Sequence, residues 1–400
     1  MGNWCRLWTA FVTQVANGVV ILDYVRTTLA LLQLPRGLEE RGTFDITVSQ
    51  VTQEGLEEIH RANGGNVGGT TVNKEFWNLL CRVYGEDVVS RFRSEDPDDE
   101  LRLEQSFEQT KKSVEMNDKR GDIHMPIPLA LHTIFTAGKT IEKSDQQWKP
   151  KEFEGKIIVD LKKGKLQINR RVFENLFRTS FDEIYKSISE LLSKQELSNL
   201  NAILMVGGFS DSPLLYEKMK AHIHIDHPNV QVLKPDQAIS AVVKGAVYFG
   251  HDPKIFRKRV CRHTYGIKIN MPFDRTLDPK GLLQTDENGV EYCKNRFSKH
   301  VSIGEKIKVG TFNQGKIYLP FRENQKSVSA PVYVSKDRNP RYADNSCAYL
   351  GSCKLDLSNL PMEEEEIEVS MKFGETELAT VKAREVKTNK EIQAELYFLG

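Results

Sequence analysis

The sequence predicts two folds in tandem, an α/β unit carrying an α+β insertion and then an antiparallel β domain. Three observations predict it. Residues 202–206, Ala-Ile-Leu-Met-Val, form an unbroken apolar run suited to a parallel strand buried on both faces. Apolar residues recur at helical spacing through several stretches between 74 and 249. Beyond the basic stretch 254–259 that spacing stops, and short alternating segments take over to the C-terminus.

The elements follow in order. Residues 43–51 alternate apolar and β-branched with polar side chains and read as a half-buried strand, with a second strand near 56–60. Asn63-Gly64-Gly65-Asn66-Val67-Gly68-Gly69-Thr70 is a glycine-dense loop, and Phe76, Trp77, Leu80 and Tyr84 place a helix after it. The acidic cluster 96–100 suits the N-terminus of a helix reaching about 116, with Leu103, Phe107, Thr110 and Val114 facing inward. Between 121 and 166 short strands are expected at 125–131, 133–136 and 157–161, which makes this an α+β insertion. A helix or helix pair spans 172–193. Gly207-Gly208 follows the apolar run, Pro213 opens the next helix at 214–222, and a strand at 230–233 and a helix at 237–249 complete the α/β part. Strands are then expected at 266–269, 307–312, 316–319, 328–334, 351–357, 367–373, 378–386 and 392–399.

The 400 residues are enough for two or three domains with substantial cores. With 56 basic against 55 acidic residues, the net charge of +1 gives no electrostatic reason to expect nucleic acid or an anionic membrane. The six cysteines form no CxxC pair and no disulfide-like spacing, which points to a reducing, cytoplasmic setting. The apolar N-terminal stretch 7–34 is interrupted by Gln14, Asn17, Asp23, Arg26 and Gln33, so no membrane-spanning helix is expected. Met1-Gly2 invites myristoylation, but Arg6 stands where that motif wants Ser or Thr.

Several residues are candidates for chemistry. Glycines after a buried strand let a nucleotide approach the backbone, although tight helix packing selects glycine equally well. Glu108, Lys111, Lys112 and Glu115 would line one stripe of a helix, either to clasp a ribose and purine or as solvated ion pairs. His222, His224 and His227 have metal-like spacing, but only Asp226 accompanies them, and no metal site is expected. No local Ser-His-Asp or Cys-His arrangement is recognisable.

Read in order, Gly42-Thr43-Phe44-Asp45, Gly68-Gly69, Glu108-x-x-Lys111-Lys112, Arg171-x-Phe173-Glu174, the stretch 203–213 and Lys234-Pro235-Asp236-Gln237-Ala238 resemble successive signatures of the 70-kDa heat-shock protein family. The wording from Val206 to Pro213 and from Val243 to Gly250 looks most like its subgroup 12, and the resemblance covers about 41–400. It implies an actin-like ATPase lobe, the second of two, over 39–252 with the insertion near 76–165. A linker at 253–263 and a β-sandwich substrate-binding domain at 264–400 would follow. Residues 1–38 do not resemble the family and are too short to supply its first lobe.

The resemblance also implies a site for ATP or ADP with magnesium. Gly42 and Thr43 would end the second phosphate loop, and Gly68 and Gly69 would line the γ-phosphate side. Glu108, Lys111 and Lys112 would clasp the adenosine, with Gly207, Gly208 and Asp236 as its other wall. Departures accompany it. Leu38-Glu39-Glu40-Arg41-Gly42-Thr43 stands where the family has Asp-x-Gly-Gly-Gly-Thr, so an aspartate that positions metal and water has become Leu38. Glu40 adds a like charge beside phosphate. Phe209 and Asp211 replace a serine and a stacking arginine, and Glu115 replaces a serine. The expectation is a chaperone-like, adenine-nucleotide-binding protein, weak or inactive as an ATPase, whose β domain meets proteins or unfolded peptide segments. The alternative is a nucleotide-independent interaction module.

Overall fold

The computed structural model describes residues 19–22 and 43–400, apart from 53–54, 117–120, 138–146, 237, 239–240, 242–243, 246, 248–250, 252–254, 287–288, 321–324, 359–360, 362–364, 375–377 and 398–400. It divides into two compact units, residues 1–47 with 63–248, and residues 48–62 with 249–400.

The first unit contains parallel strands β1 (Val19–Leu22), β8 (Ala202–Met205) and β9 (Gln231–Leu233), with β8 in the middle. All four residues of β8 are buried, as its unbroken apolar run requires. Strand β2 (Phe44–Thr52) contributes its first residues here, and β3 (Gly55–Gly65) ends here.

Three helices come next. Helix α1 (Gly69–Tyr84) buries Val72, Phe76, Leu80 and Val83 along one stripe. Helix α2 (Glu86–Glu95) buries Val89 and Phe92. Helix α3 (Pro97–Ser113) starts with Pro97 followed by Asp98, Asp99 and Glu100, and ends with Lys111 and Lys112, so its charges complement the helix dipole at both ends. Phe76 of α1 stacks on Phe107 of α3 with ring centroids 4.0 Å apart, the centre of a core that continues through Phe173 to Phe177.

The insertion is closed by an antiparallel sheet in the order β4 (Ile123–Pro126), β7 (Lys165–Ile168), β6 (Ile157–Asp160), β5 (Gln147–Trp148). Of the strands expected at 125–131 and 133–136, only the start of the first is strand, in β4, and residues 129–136 fall in helix α4 (Leu129–Ala137). Thr133, Ile134 and Thr136 favour strand locally, but Leu131 and Phe135 are buried one helical turn apart, and that packing decides. Helices α5 (Arg170–Asn175) and α6 (Arg178–Leu192) form the expected pair, with the Asn169 side chain capping α5. Helix α7 (Pro213–Asp226) starts on Ser212, whose hydroxyl accepts from the Leu215 amide. Of the helix expected at 237–249, residues 237, 239–240, 242–243, 246 and 248–249 lie outside the described residues.

The second unit contains two antiparallel sheets. One runs β12 (Leu283–Thr285), β13 (Glu291–Val301), β11 (Thr264–Pro272), β16 (Ser327–Ser335), β17 (Cys347–Asp356). The other runs β15 (Lys316–Tyr318), β18 (Ile367–Phe373), β19 (Leu378–Glu385), β20 (Glu391–Tyr397). Ile267, Val332, Val334 and Leu355 of the first sheet share one core with Ile367, Val369, Met371 and Val381 of the second.

The stretch 253–263, expected as a linker, carries strand β10 (Phe256–Val260). It pairs with β3 in parallel and with β14 (Lys306–Lys308) antiparallel. Its basic residues hide it from a periodicity reading, but Glu57 neutralises Lys258 at 2.8 Å and the Glu58 carboxylate accepts from the Val260 amide at 3.0 Å.

His300 on β13 tests the packing of this unit. Its Nε2 pairs with the Tyr318 hydroxyl at 2.9 Å, Tyr318 also meets Ser298 at 2.7 Å, and Nδ1 is buried without a partner. Burial, aided by the positive Lys316, pushes its pKa down from 6.5 to about 4. Below pH 6.5 the unfolded chain therefore binds a proton that the folded chain refuses until about 4. The stability from neutral His300 is complete above 6.5 and drains away through that window, by about 2 kcal/mol at pH 5. Urea melts at pH 7.5 and pH 5 should show a smaller acid loss in His300→Gln than in the wild type. An equal loss would contradict the buried neutral imidazole.

Candidate nucleotide site

The glycine-dense loop leads into α1 through Gly68 and Gly69. The Gly68 amide donates to the Thr71 hydroxyl at 3.2 Å, and its carbonyl accepts from the Thr71 amide at 3.1 Å and the Ser180 hydroxyl at 3.0 Å. Gly68 is thereby committed to protein partners. Upstream, Thr43 is half-buried beside Phe44, whose carbonyl lies against Gly64 so closely that any side chain there would collide. Gly42 lies outside the described residues.

Lys111 sits in the last turn of α3 and is 3% exposed. Its ammonium donates to the Gly69 carbonyl at 3.0 Å, Asn73 Oδ1 at 2.7 Å and Glu108 Oε1 at 2.7 Å. Glu108 Oε1 also accepts from Asn73 Nδ2 at 2.7 Å. Burial pushes the Lys111 pKa down, and the hydrogen bond to Glu108 resists. All three ammonium protons are therefore used on protein groups that pin the start of α1 to the end of α3. Lys112 is exposed and Glu108 half-exposed, so the stripe of charge predicted on this helix presents Glu108, Lys112 and Glu115 to solvent and buries Lys111.

The turn after β8 supplies another wall. Gly207 is buried with φ at +89°, a conformation that strains any residue with a Cβ, and open space lies where that Cβ would point. Its amide donates to the Ala238 carbonyl at 2.9 Å, which draws in the turn holding exposed Asp236. Gly208 is exposed with an ordinary helical backbone. Phe209 leans away, stacks on Phe177 at 6.2 Å, and lies 3.5 Å from where a Cβ on Gly69 would stand, with the Lys111 ammonium 3.6 Å from the same point. These contacts bring Gly69, Lys111 and Glu108 together with the 207–209 turn, and that turn together with the 236–238 turn.

Sequence reasoning did not find Asn73 or Ser180, because no local pattern marks a residue whose partner lies far along the chain, and it took Phe177 only as part of the apolar stripe of the helix over 172–193. Phe209 stood inside a recognised motif, but its ring was not assigned a contact. Among the described residues no group of three or more His, Cys, Asp or Glu side chains is placed to hold a metal ion. Among them, too, no helix is long and apolar enough to cross a membrane.

The profile of the family described as Hsp70 protein matches residues 40–278. The chain belongs to the Hsp70 family. It is similar to heat shock 70 kDa protein 12A of Homo sapiens, 27% identical over 90% of this chain and 53% of that protein. The figures for heat shock 70 kDa protein 12B of Homo sapiens are the same. The chaperone protein DnaK of Mycoplasmopsis pulmonis is 23% identical over 95% of this chain and 57% of its own length. The chain thus spans about half the length of the curated relatives it matches. The family implies an actin-like ATPase fold with a β-rich C-terminal region, and the mixed sheets and β-rich second unit accord with that.

Replacing Lys111 by Met removes the ammonium while keeping most of the stem. It leaves the Gly69 carbonyl and Asn73 amide oxygen without their donor, and should destabilise the chain by about 1–3 kcal/mol. Lys112→Met, on the exposed side of the same turn, should change stability by less than about 0.5 kcal/mol. Thermal melts of the two variants, if indistinguishable, would remove Lys111 as the tie between α1 and α3.

Proposed function

We propose that the first unit is the second lobe of an actin-like ATPase fold, and that it binds the adenosine end of ATP or ADP without hydrolysing ATP above background. The observation that carries this reading is the Gly207 turn. A left-handed glycine with no heavy atom of the described residues within 4 Å of its Cβ position, beside exposed Gly208 and Asp236, suits close approach of a purine nucleoside. Glu108 and Lys112, on the solvent side of the neighbouring helix end, would supply ribose and base contacts. Lys111, whose ammonium is bonded to Gly69, Asn73 and Glu108, would support the wall from behind.

The phosphate end fits less well. The Gly68 amide is already used by Thr71, which leaves it unable to meet a γ-phosphate. By the resemblance, Leu38 stands where the family carries an aspartate and Glu40 where it carries a glycine of the phosphate loop, which would add a like charge near phosphate. Magnesium, when bound with nucleotide, supplies charge neutralisation for phosphoryl transfer, and transfer needs positioned water, metal and several donors together. This chain's residues would orient the nucleoside, with Thr43 and Gly42 towards the phosphates.

The β-rich second unit is proposed to engage protein segments, giving a chaperone-like binding protein. The alternative is a module that meets proteins without nucleotide, which the full commitment of Lys111 and Gly68 to protein partners favours.

Calorimetric titration of residues 1–400 with ADP and magnesium, beside a phosphate-release assay with ATP, tests the reading. Weak ADP binding with no release above blank is expected, and Gly207→Val, which adds strain and fills the open space, should weaken ADP by about tenfold or more. Absence of any ADP signal in the folded wild type supports the nucleotide-independent alternative. Magnesium-dependent turnover lost in Gly207→Val overturns the claim of inactivity.

A further inference from the structure

The five-stranded sheet of the second unit turns one face away from the shared core. On β11 and β16 the residues in the core are Tyr265, Ile267, Val332 and Val334, so strand alternation turns Gly266, Lys268, Pro331 and Tyr333 the other way. Phe297 of β13 covers Gly266 so closely that no side chain would fit there. Further across, the register sets Tyr333 opposite Tyr349 and Ser329 opposite Lys354. The two tyrosine rings lie 5.3 Å apart, the Lys268 ammonium is 5.7 Å from the centre of the Tyr333 ring, and the Ser329 and Ser352 hydroxyls are bonded to each other. Tyr349 is 57% exposed, and Lys354 and Ser329 are exposed.

This patch is aromatic and positive at once. Among the described residues neither Lys268 nor Lys354 forms an ion pair, and Asp356, two positions beyond Lys354, is the one carboxylate at an outward position of β16 and β17. Lys268 and Lys354 stand two strands and two residues apart. Strand spacing and rise put their backbones roughly 12 Å from each other, the span of about four residues of extended chain.

We infer that this face binds an extended acidic segment of a partner protein. Two carboxylates about four positions apart meet Lys268 and Lys354, and an apolar side chain midway between them rests on Pro331 beside the tyrosine pair. The inference rests on the reading of the second unit as a protein-binding module and names the class of segment it takes. A nucleic acid is the poorer match, because two lysines on a chain of net charge +1 release few counterions from a polyphosphate.

The test uses the whole 400-residue chain and short fluorescent peptides with Glu at two positions four apart and Val midway, beside the same peptides with both Glu replaced by Gln or by Lys. An oligouridylate serves as the polyphosphate arm. The Glu peptide should bind about fivefold or more tighter than the Gln peptide at low salt, with the advantage shrinking as salt is added. K268Q and K354Q together should erase that advantage. Tyr349→Ala, at an exposed site where the fold is insensitive, should weaken the Glu and Gln peptides alike. Circular dichroism confirms folding, and K354Q alone, also exposed, carries the same test should K268Q unfold. Equal binding of Glu and Gln peptides would overturn the inference while leaving the protein-binding reading intact. Failure of all peptides would overturn both, and lysine-dependent binding of oligouridylate would replace the acidic segment with nucleic acid.

Discussion

The buried ammonium of Lys111 is the constraint on which the candidate site depends. A lysine 3% exposed is tolerated only if its protons are matched, and Gly69, Asn73 and Glu108 match all three. Each of those acceptors is thereby fixed to the end of α3. Because Gly69 opens α1, the bond to its carbonyl sets where that helix begins, and the Phe76 and Phe107 rings stack one to two turns further along. Charge and aromatic packing therefore enforce one geometry between the two helices, and Phe209 seats the 207–209 turn against it.

The aromatic series from Phe76 through Phe107, Phe173 and Phe177 to Phe209 runs from the core of the insertion to the turn beside Gly208. Such rings carry large buried areas and prefer a few relative orientations, so the turn inherits the rigidity of the core. Gly207 can then hold its left-handed backbone with no heavy atom of the described residues within 4 Å of where a Cβ would stand, and exposed Gly208 follows it directly. The second unit is built on a different rule, in which two antiparallel sheets bury one face each in a shared core.

Much of this was legible wherever a single chain segment decides its own structure. The apolar run of β8, the proline opening α7 and the acidic start of α3 name their elements without outside help. Strand β13 escaped because it buries only Cys293, Phe297 and Val301, one residue in four, which is not the period of a strand. Helix α4 escaped because its β-branched residues argue for a strand until Tyr84 and Trp148 close over Phe135. In the site, the motifs located the 207–209 turn and Lys111, but not what Lys111 does. A polar stripe at helical spacing is the same in sequence whether its lysine faces solvent or a carbonyl 42 residues away.

Hydrogen exchange with and without saturating ADP tests most directly whether the Gly207 turn is where a nucleotide rests. The account predicts slower amide exchange across 206–212 and 236–238, with the strands between 264 and 397 unchanged. Protection confined to those strands, or none at the two turns while ADP is demonstrably bound, would contradict it.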